Sequence, residues 1–173
     1  MESLISFLLQ FWEQIVPWFI VKEYEEAIVL RFGKYTKKIH TPGIWFKWPF
    51  IDDPINVVTV YTTLSLAAQS LLTRDKKEIV VKSVVKYKID NIEPFILNIY
   101  DSADAIGDVT QGVIARECLK RDWEEVASDS IDNEITKKVR VELRQFGIYV
   151  EYITLTDKTS AKAFRLFNES NLG

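Results

Sequence analysis

The chain has 173 residues, enough for one domain of ordinary size or two small units sharing a core. Its 47% hydrophobic and 27% charged residues exclude a disordered polymer, and a net charge of −3 with scattered Lys and Arg excludes the basic footprint of a nucleic-acid binder. A single cysteine, Cys118, excludes an internal disulfide, and a single histidine, His40, leaves no His/Cys set for a transition metal.

The N-terminal segment, residues 4–21, is apolar apart from Ser6, Gln10, Glu13, Gln14 and Pro17. Eighteen helical residues would reach about 27 Å, marginal for a hydrocarbon core of about 30 Å. Ser6, Gln10, Glu13 and Gln14 recur at three- and four-residue steps and so form a thin polar stripe on a greasy helix. Leu4, Phe7, Leu8, Phe11, Trp12, Ile15, Trp18 and Phe19 would face lipid, with the indoles at the membrane interface. The stripe suits either an interfacial helix or a tilted span whose stripe meets neighbouring helices. No basic leader and no small-residue cleavage site accompany it, so the pattern predicts a retained anchor rather than a signal peptide. Lys22 is followed by Glu23, Glu25 and Glu26, which leaves the side of the membrane open.

Residues 22–32 read as a strand with Ala27, Val29 and Arg31 on one side and Ile28, Leu30 and Phe32 on the other, ended by Gly33. Pro42-Gly43 predicts a type II turn. Ile44, Trp45, Phe46, Trp48 and Phe50 follow, too many large apolar groups for an ordinary loop: they are buried or they touch a membrane, and the expectation is the membrane, with Trp45 and Trp48 on one side. Residues 56–61 and 64–73 are further extended candidates, the second also readable as a short helix. Residues 78–89 give the clearest strand: Ile79, Val81, Val85, Tyr87 and Ile89 share one face, while Lys82, Lys86 and Lys88 share the other. That lysine row reads as a solvated face or as a contact for acidic groups.

Asn91-Ile92-Glu93-Pro94 opens a helical half. A short helix over 95–100 precedes a longer amphipathic one that Asp101 or Ser102 would cap, with Ala103, Ile106, Val109, Val113, Ile114 and Cys118 on its apolar side. Cys118 therefore reads as a small core hydrophobe. Asp129 or Ser130 would cap a further helix burying Ile131, Ile135, Val139 and Leu143, with Gly147 beyond its end. Residues 148–155 form a last strand, and Thr159 would cap a final helix over 158–173. The predicted organisation is an anchor at 1–21, a folded α+β part at 22–157 (β-rich to about 75, mixed from about 76) and the start of a helix at 158–173, with a largely antiparallel sheet and helices on one face.

In order along the chain, Arg31-Phe32-Gly33-Lys34, Pro42-Gly43-Ile44-Trp45-Phe46, Pro49-Phe50-Ile51-Asp52, Leu72-Thr73-Arg74-Asp75, Tyr87-Lys88-Ile89 and Gly147-Ile148-Tyr149-Val150 resemble the stomatin/prohibitin/flotillin (SPFH, band 7) superfamily over residues 22–157. The resemblance implies a membrane-bound scaffold that forms homo-oligomers, organises lipids, and holds or regulates membrane proteases, channels or other SPFH proteins. The long coiled coil of that family has no room before Gly173, which makes an adaptor or inhibitor of a larger assembly or of a membrane protease the alternative. A soluble binding domain or enzyme with the N-terminal helix in its core is a more distant one. No phosphate loop, nucleophile elbow, paired Cys-x-x-Cys or H-E-x-x-H is present. The expectation is therefore no catalytic residue, no cofactor, no metal and no nucleic acid.

Overall fold

A computed structural model of the chain describes residues 16–160. Thirteen elements follow one another: β1 (Trp18–Val21), β2 (Glu25–Arg31), β3 (Lys34–Ile39), β4 (Gly43–Phe46), β5 (Asp52–Val58), β6 (Thr62–Ser65), β7 (Gln69–Leu72), β8 (Glu78–Ile89), α1 (Ile92–Asn98), α2 (Ser102–Leu119), α3 (Trp123–Ala127), α4 (Ser130–Arg144) and β9 (Ile148–Ser160). The expected α+β class with antiparallel pairing holds. β1 pairs with β4, β2 lies between β3 and β5, and β8 carries β9 on one side and both β6 and β7 on the other.

β2 is apolar on both faces and joins the two cores. Ile28, helped by Leu30, points into the large one, while Ala27 and Val29 form a smaller one with Val21 and Ile39. In the large core the alternating residues Ile79, Val81, Val85 and Ile89 of β8 meet Ile148, Val150, Ile153 and Leu155 of β9. Over them lie Ile106, Val113, Ile114 and Cys118 of α2 and Ile131, Ile135, Val139 and Leu143 of α4. Cys118 is fully buried there, and desolvation pushes its thiol up to about 11.

α4 also closes the outer edge of β9. At successive four-residue steps, Asp132 accepts from Leu155 N (3.3 Å), Thr136 Oγ1 accepts from Ile153 N (2.9 Å), and Arg140 donates to the carbonyls of Val150 and Glu151 (both 2.7 Å). Groups that would otherwise template another strand are thus paired by a helix face. Asp132, in the first turn of α4, thus meets the sheet edge as well as the positive end of the helix dipole.

Three local expectations change. Residues 18–21 are a strand rather than the end of a helix, because β4 supplies the backbone partners Trp18↔Phe46 through Val21↔Gly43. Pro42-Gly43 does not make the expected type II turn: Gly43 opens β4 at φ +141°, far from the about +80° such a turn needs, and the chain joins β1 rather than folding back on β3. β9 runs to Ser160, past the predicted end at 155 and the expected cap at Thr159, because the twelve residues of β8 offer partners back to Ile79↔Ser160. The extended reading of 64–73 resolves into β6 and β7, and Pro54 lies inside the edge strand β5, where a missing N–H is tolerated.

Candidate functional site

The β1–β4 ribbon has two unlike faces. On the inner one, Phe19 and Trp45 pack on Val21, Ala27, Val29 and Ile39, and Trp45 Nε1 donates to Thr41 O at 3.0 Å. On the outer one, Trp18 stands opposite Phe46 and Ile20 opposite Ile44. Phe46 continues into Trp48 with an edge-on ring contact at 5.6 Å. With Phe32 and Phe50, these side chains are between 54% and 76% exposed. Seven large apolar groups exposed around one ribbon and its adjoining turns exceed the scattered singles of an ordinary surface.

The turn after β4 is pinned from within. Asp52, buried at the start of β5, takes Arg31 Nε and Nη2 on its two oxygens at 2.7 and 3.1 Å, and Trp48 N donates to it at 3.0 Å. Those bonds, the Arg31 guanidinium first, hold the Asp52 carboxyl below its usual range against the opposing effect of burial. Trp48 O receives Ile51 N and Asp52 N, and Phe32 N donates to Ile51 O at 3.0 Å, which ties the β2–β3 turn to the β4–β5 turn. At both tips a phenylalanine occupies left-handed backbone, Phe32 at φ +51° and Phe50 at φ +63°. Asn or Gly is the ordinary occupant there, and a bulky residue costs about 1–2 kcal/mol. Two exposed aromatic rings are held outward at a backbone cost, the usual mark of a constrained functional surface.

Of the predicted contact residues, Trp18, Ile44, Phe46, Trp48 and Phe50 share this face. Phe19 and Trp45 lie on the opposite one, so Trp45 and Trp48 are not on one side as expected: Trp45 packs inward from β4, while Trp48, three positions on and past the end of the strand, is exposed. Leu4, Phe7, Leu8, Phe11, Trp12 and Ile15 and the stripe Ser6, Gln10, Glu13 and Gln14 lie outside the described residues. Sequence reasoning missed Ile20, taken as part of a helix, and Phe32, taken as a strand residue. The signal for Phe32 was its place before Gly33 in a two-residue hairpin turn.

Other motif pieces prove to be joints. Arg74 grips Asp122 at 2.6 and 2.9 Å ahead of α3, and Trp123 N donates to Asp75 Oδ1 at 3.3 Å. Asp75 is held down to about 2, first by its bond with Thr73 and then by Lys77. Gly147, at φ +75°, accepts Asp90 N and Asn91 N on its carbonyl at 2.9 and 3.0 Å and seats the α4–β9 corner against α1. The lysine row is partly neutralised: Lys86 pairs with Glu151 at 2.9 Å and lies 5.0 Å from the Tyr61 ring. Among the described residues no helix is long and apolar enough to cross a membrane, and no group of His, Cys, Asp and Glu side chains converges as a metal site.

Comparison with known proteins gives these features a family. The chain is 34% identical to the HflC protein of Buchnera aphidicola subsp. Acyrthosiphon pisum over 123 residues, 68% of this chain and 36% of that protein. It is 32% identical to the modulator of FtsH protease HflC of Escherichia coli K12, covering 68% of this chain and 33% of that protein. Stomatin-1 of Caenorhabditis elegans is 26% identical over 142 residues, 80% of this chain and 42% of that protein. The chain thus spans well under half the length of these relatives. The profile of the SPFH domain / Band 7 family matches residues 19–166, from β1 past the end of β9, and the chain belongs to that family.

Proposed function

We propose that this SPFH domain sits on a membrane through the outer face of the β1–β4 ribbon, as a scaffold that organises lipids or membrane-protein partners. The observation that carries the reading is the exposed set Trp18, Ile20, Phe32, Ile44, Phe46, Trp48 and Phe50, with its two left-handed phenylalanines. Complete transfer of one such side chain from water is worth about 1.5–3 kcal/mol, so groups more than half exposed would contribute on the order of 1 kcal/mol each. Aromatic rings, indoles above all, suit the headgroup layer.

The residues before β1 would act as a second anchor. With residues 18–21 in a strand, the apolar run left at 4–15 would reach about 18 Å as a helix, short of a hydrocarbon core of about 30 Å. That length favours an anchor lying in one leaflet over a span. Its polar stripe would then face headgroups or a neighbouring helix, and homo-oligomerisation belongs to the same reading.

Electron paramagnetic resonance on the vesicle-bound full chain tests it. A nitroxide on Phe50→Cys should be more accessible to oxygen than to a water-soluble nickel chelate, and one on Asp104→Cys in α2 should show the reverse. The buried, high-pKa Cys118 will not compete for the label. Equal nickel access at both positions would overturn the reading. The similarity to proteins named as modulators of FtsH protease supports a second role, modulation of a membrane protease. It is tested by following degradation of a membrane substrate by such a protease with and without the chain.

A further inference from the structure

The C-terminal end of β8, the last turns of α4 and the start of β9 enclose a cleft of about 600 Å³, walled by Tyr61 and Tyr149 and carrying Lys88, Arg140 and Arg144. Its charge is one-sided. The single carboxylate lining it, Asp90, is mostly exposed and pairs with Lys88 at 3.4 Å. Arg140 spends Nε and Nη2 on the neutral carbonyls of Val150 and Glu151, which leaves Nη1 and the whole positive charge uncompensated. Among the described residues the Arg144 side chain makes no ion pair or hydrogen bond. Arg74, Arg116 and Arg121 each meet a carboxylate, so the contrast lies in the cleft.

The cations are also held in place. Arg140 lies 5.0 Å from the Tyr149 ring, and Lys88 lies 5.7 and 5.6 Å from the rings of Tyr61 and Tyr149. Ring faces orient a cation without neutralising it. Against the one Asp90 carboxylate, three positive charges leave the concavity with an excess of about two, which repel one another until a further anion enters. The ligand that fits best concentrates negative charge in one compact group. A phosphate ester or diphosphate carries about two charges on oxygens that accept from Arg forks and Tyr hydroxyls. Successive residues of an extended acidic peptide rise about 3.3 Å and point to opposite faces, so its single-charged carboxylates recur on one side only every about 6.6 Å and call for a long groove.

We propose that this cleft binds a phosphate-bearing ligand, either a soluble phosphate compound or a phospholipid headgroup. The proposal is independent of the membrane face described above, which shares no residue with the cleft.

Calorimetric titration of the full chain in uncharged detergent with inorganic pyrophosphate should show saturable one-site binding. Arg144→Gln and Lys88→Gln should each weaken it about ten- to a hundredfold, the loss of a charge-assisted hydrogen bond. Lys137→Gln, exposed elsewhere on α4, should bind as the wild type does. Neither cleft substitution removes a core contact, and unchanged melting curves confirm that both variants fold. Co-sedimentation with phosphatidic acid vesicles, against phosphatidylcholine vesicles, separates the two sources. A parallel loss in the cleft variants identifies a headgroup, and unaltered vesicle binding identifies a soluble compound. The proposal is overturned if pyrophosphate shows no saturable binding, if both cleft variants bind like the wild type, or if a polyglutamate peptide binds at the cleft and pyrophosphate does not.

Discussion

Gly147 offers the sharpest test of how the two halves of the large core are joined. A Cβ built on it would lie 2.0 Å from the Asn91 carbonyl oxygen and 3.0 Å from Pro94 Cγ, so Gly147→Ala must push the start of α1 away by about 1 Å. Three costs follow from the geometry. Left-handed φ at Ala costs about 1 kcal/mol. The paired bonds from Asp90 N and Asn91 N to the Gly147 carbonyl are strained or lost, at about 1 kcal/mol each. Asn91, which caps α1 by accepting from Glu93 N, is displaced, a loss of up to about 1 kcal/mol. The sum is about 3–4 kcal/mol. Gly33→Ala is the control, because Gly33 has nearly the same φ, +74°, with nothing within 4 Å of the added carbon. It should cost only the conformational part, about 1 kcal/mol. At roughly 2–4 °C per kcal/mol for a domain of this size, thermal melts followed by circular dichroism should show Gly147→Ala falling by about 10 °C and Gly33→Ala by about 3 °C. Two variants melting within a degree of each other would refute the steric argument.

Glu117 is buried on α2 and bonded by Lys138 at 2.6 Å, Arg121 at 2.7 Å and Lys120 at 3.1 Å; burial pushes its carboxyl up, but the three cations prevail and hold it at about 2. A depressed folded pKa contributes stability above the unfolded value of about 4.3 that is lost as pH falls toward 2, so Glu117→Gln should cost about 3 kcal/mol in denaturant titrations at pH 7 and much less at pH 2; a gap that does not depend on pH would contradict the ion network. Phe32→Asn should raise the denaturant midpoint by the equivalent of about 1 kcal/mol by suiting the left-handed corner, while weakening vesicle binding. Lower stability with unchanged binding would mean that the Phe32 ring packs rather than protrudes.

How far the sequence could be read depended on the range of the interactions involved. The alternation in β8 and the four-residue spacing of Ile131, Ile135, Val139 and Leu143 expose their buried faces directly, because a strand or helix buries one face at a period its own backbone dictates. The resemblance over residues 22–157 named the right family for the same reason: its motifs are local strings around turns and strand ends. Arg31, Asp52 and Arg74 stand in those strings, yet nothing local says that Arg31 will meet Asp52, 21 positions on, or that Arg74 will meet Asp122, 48 positions on.

The aromatic site shows the same division more sharply. Composition alone announced that too many rings crowd residues 44–50 for a plain loop. Which rings face outward was decided by the pairing of β4 with β1 and by the small Val21, Ala27, Val29 and Ile39 cluster, which claims Phe19 and Trp45 and leaves Trp18, Phe46 and Trp48 uncovered. Strand pairing also took residues 18–21 out of the predicted helix and carried β9 to Ser160, since a backbone N–H or carbonyl near a sheet edge takes the partner that tertiary contact brings to it. Local pattern determined where this chain can bury or turn; contacts between distant segments decided which side of each strand is left uncovered and which cations are left without a carboxylate.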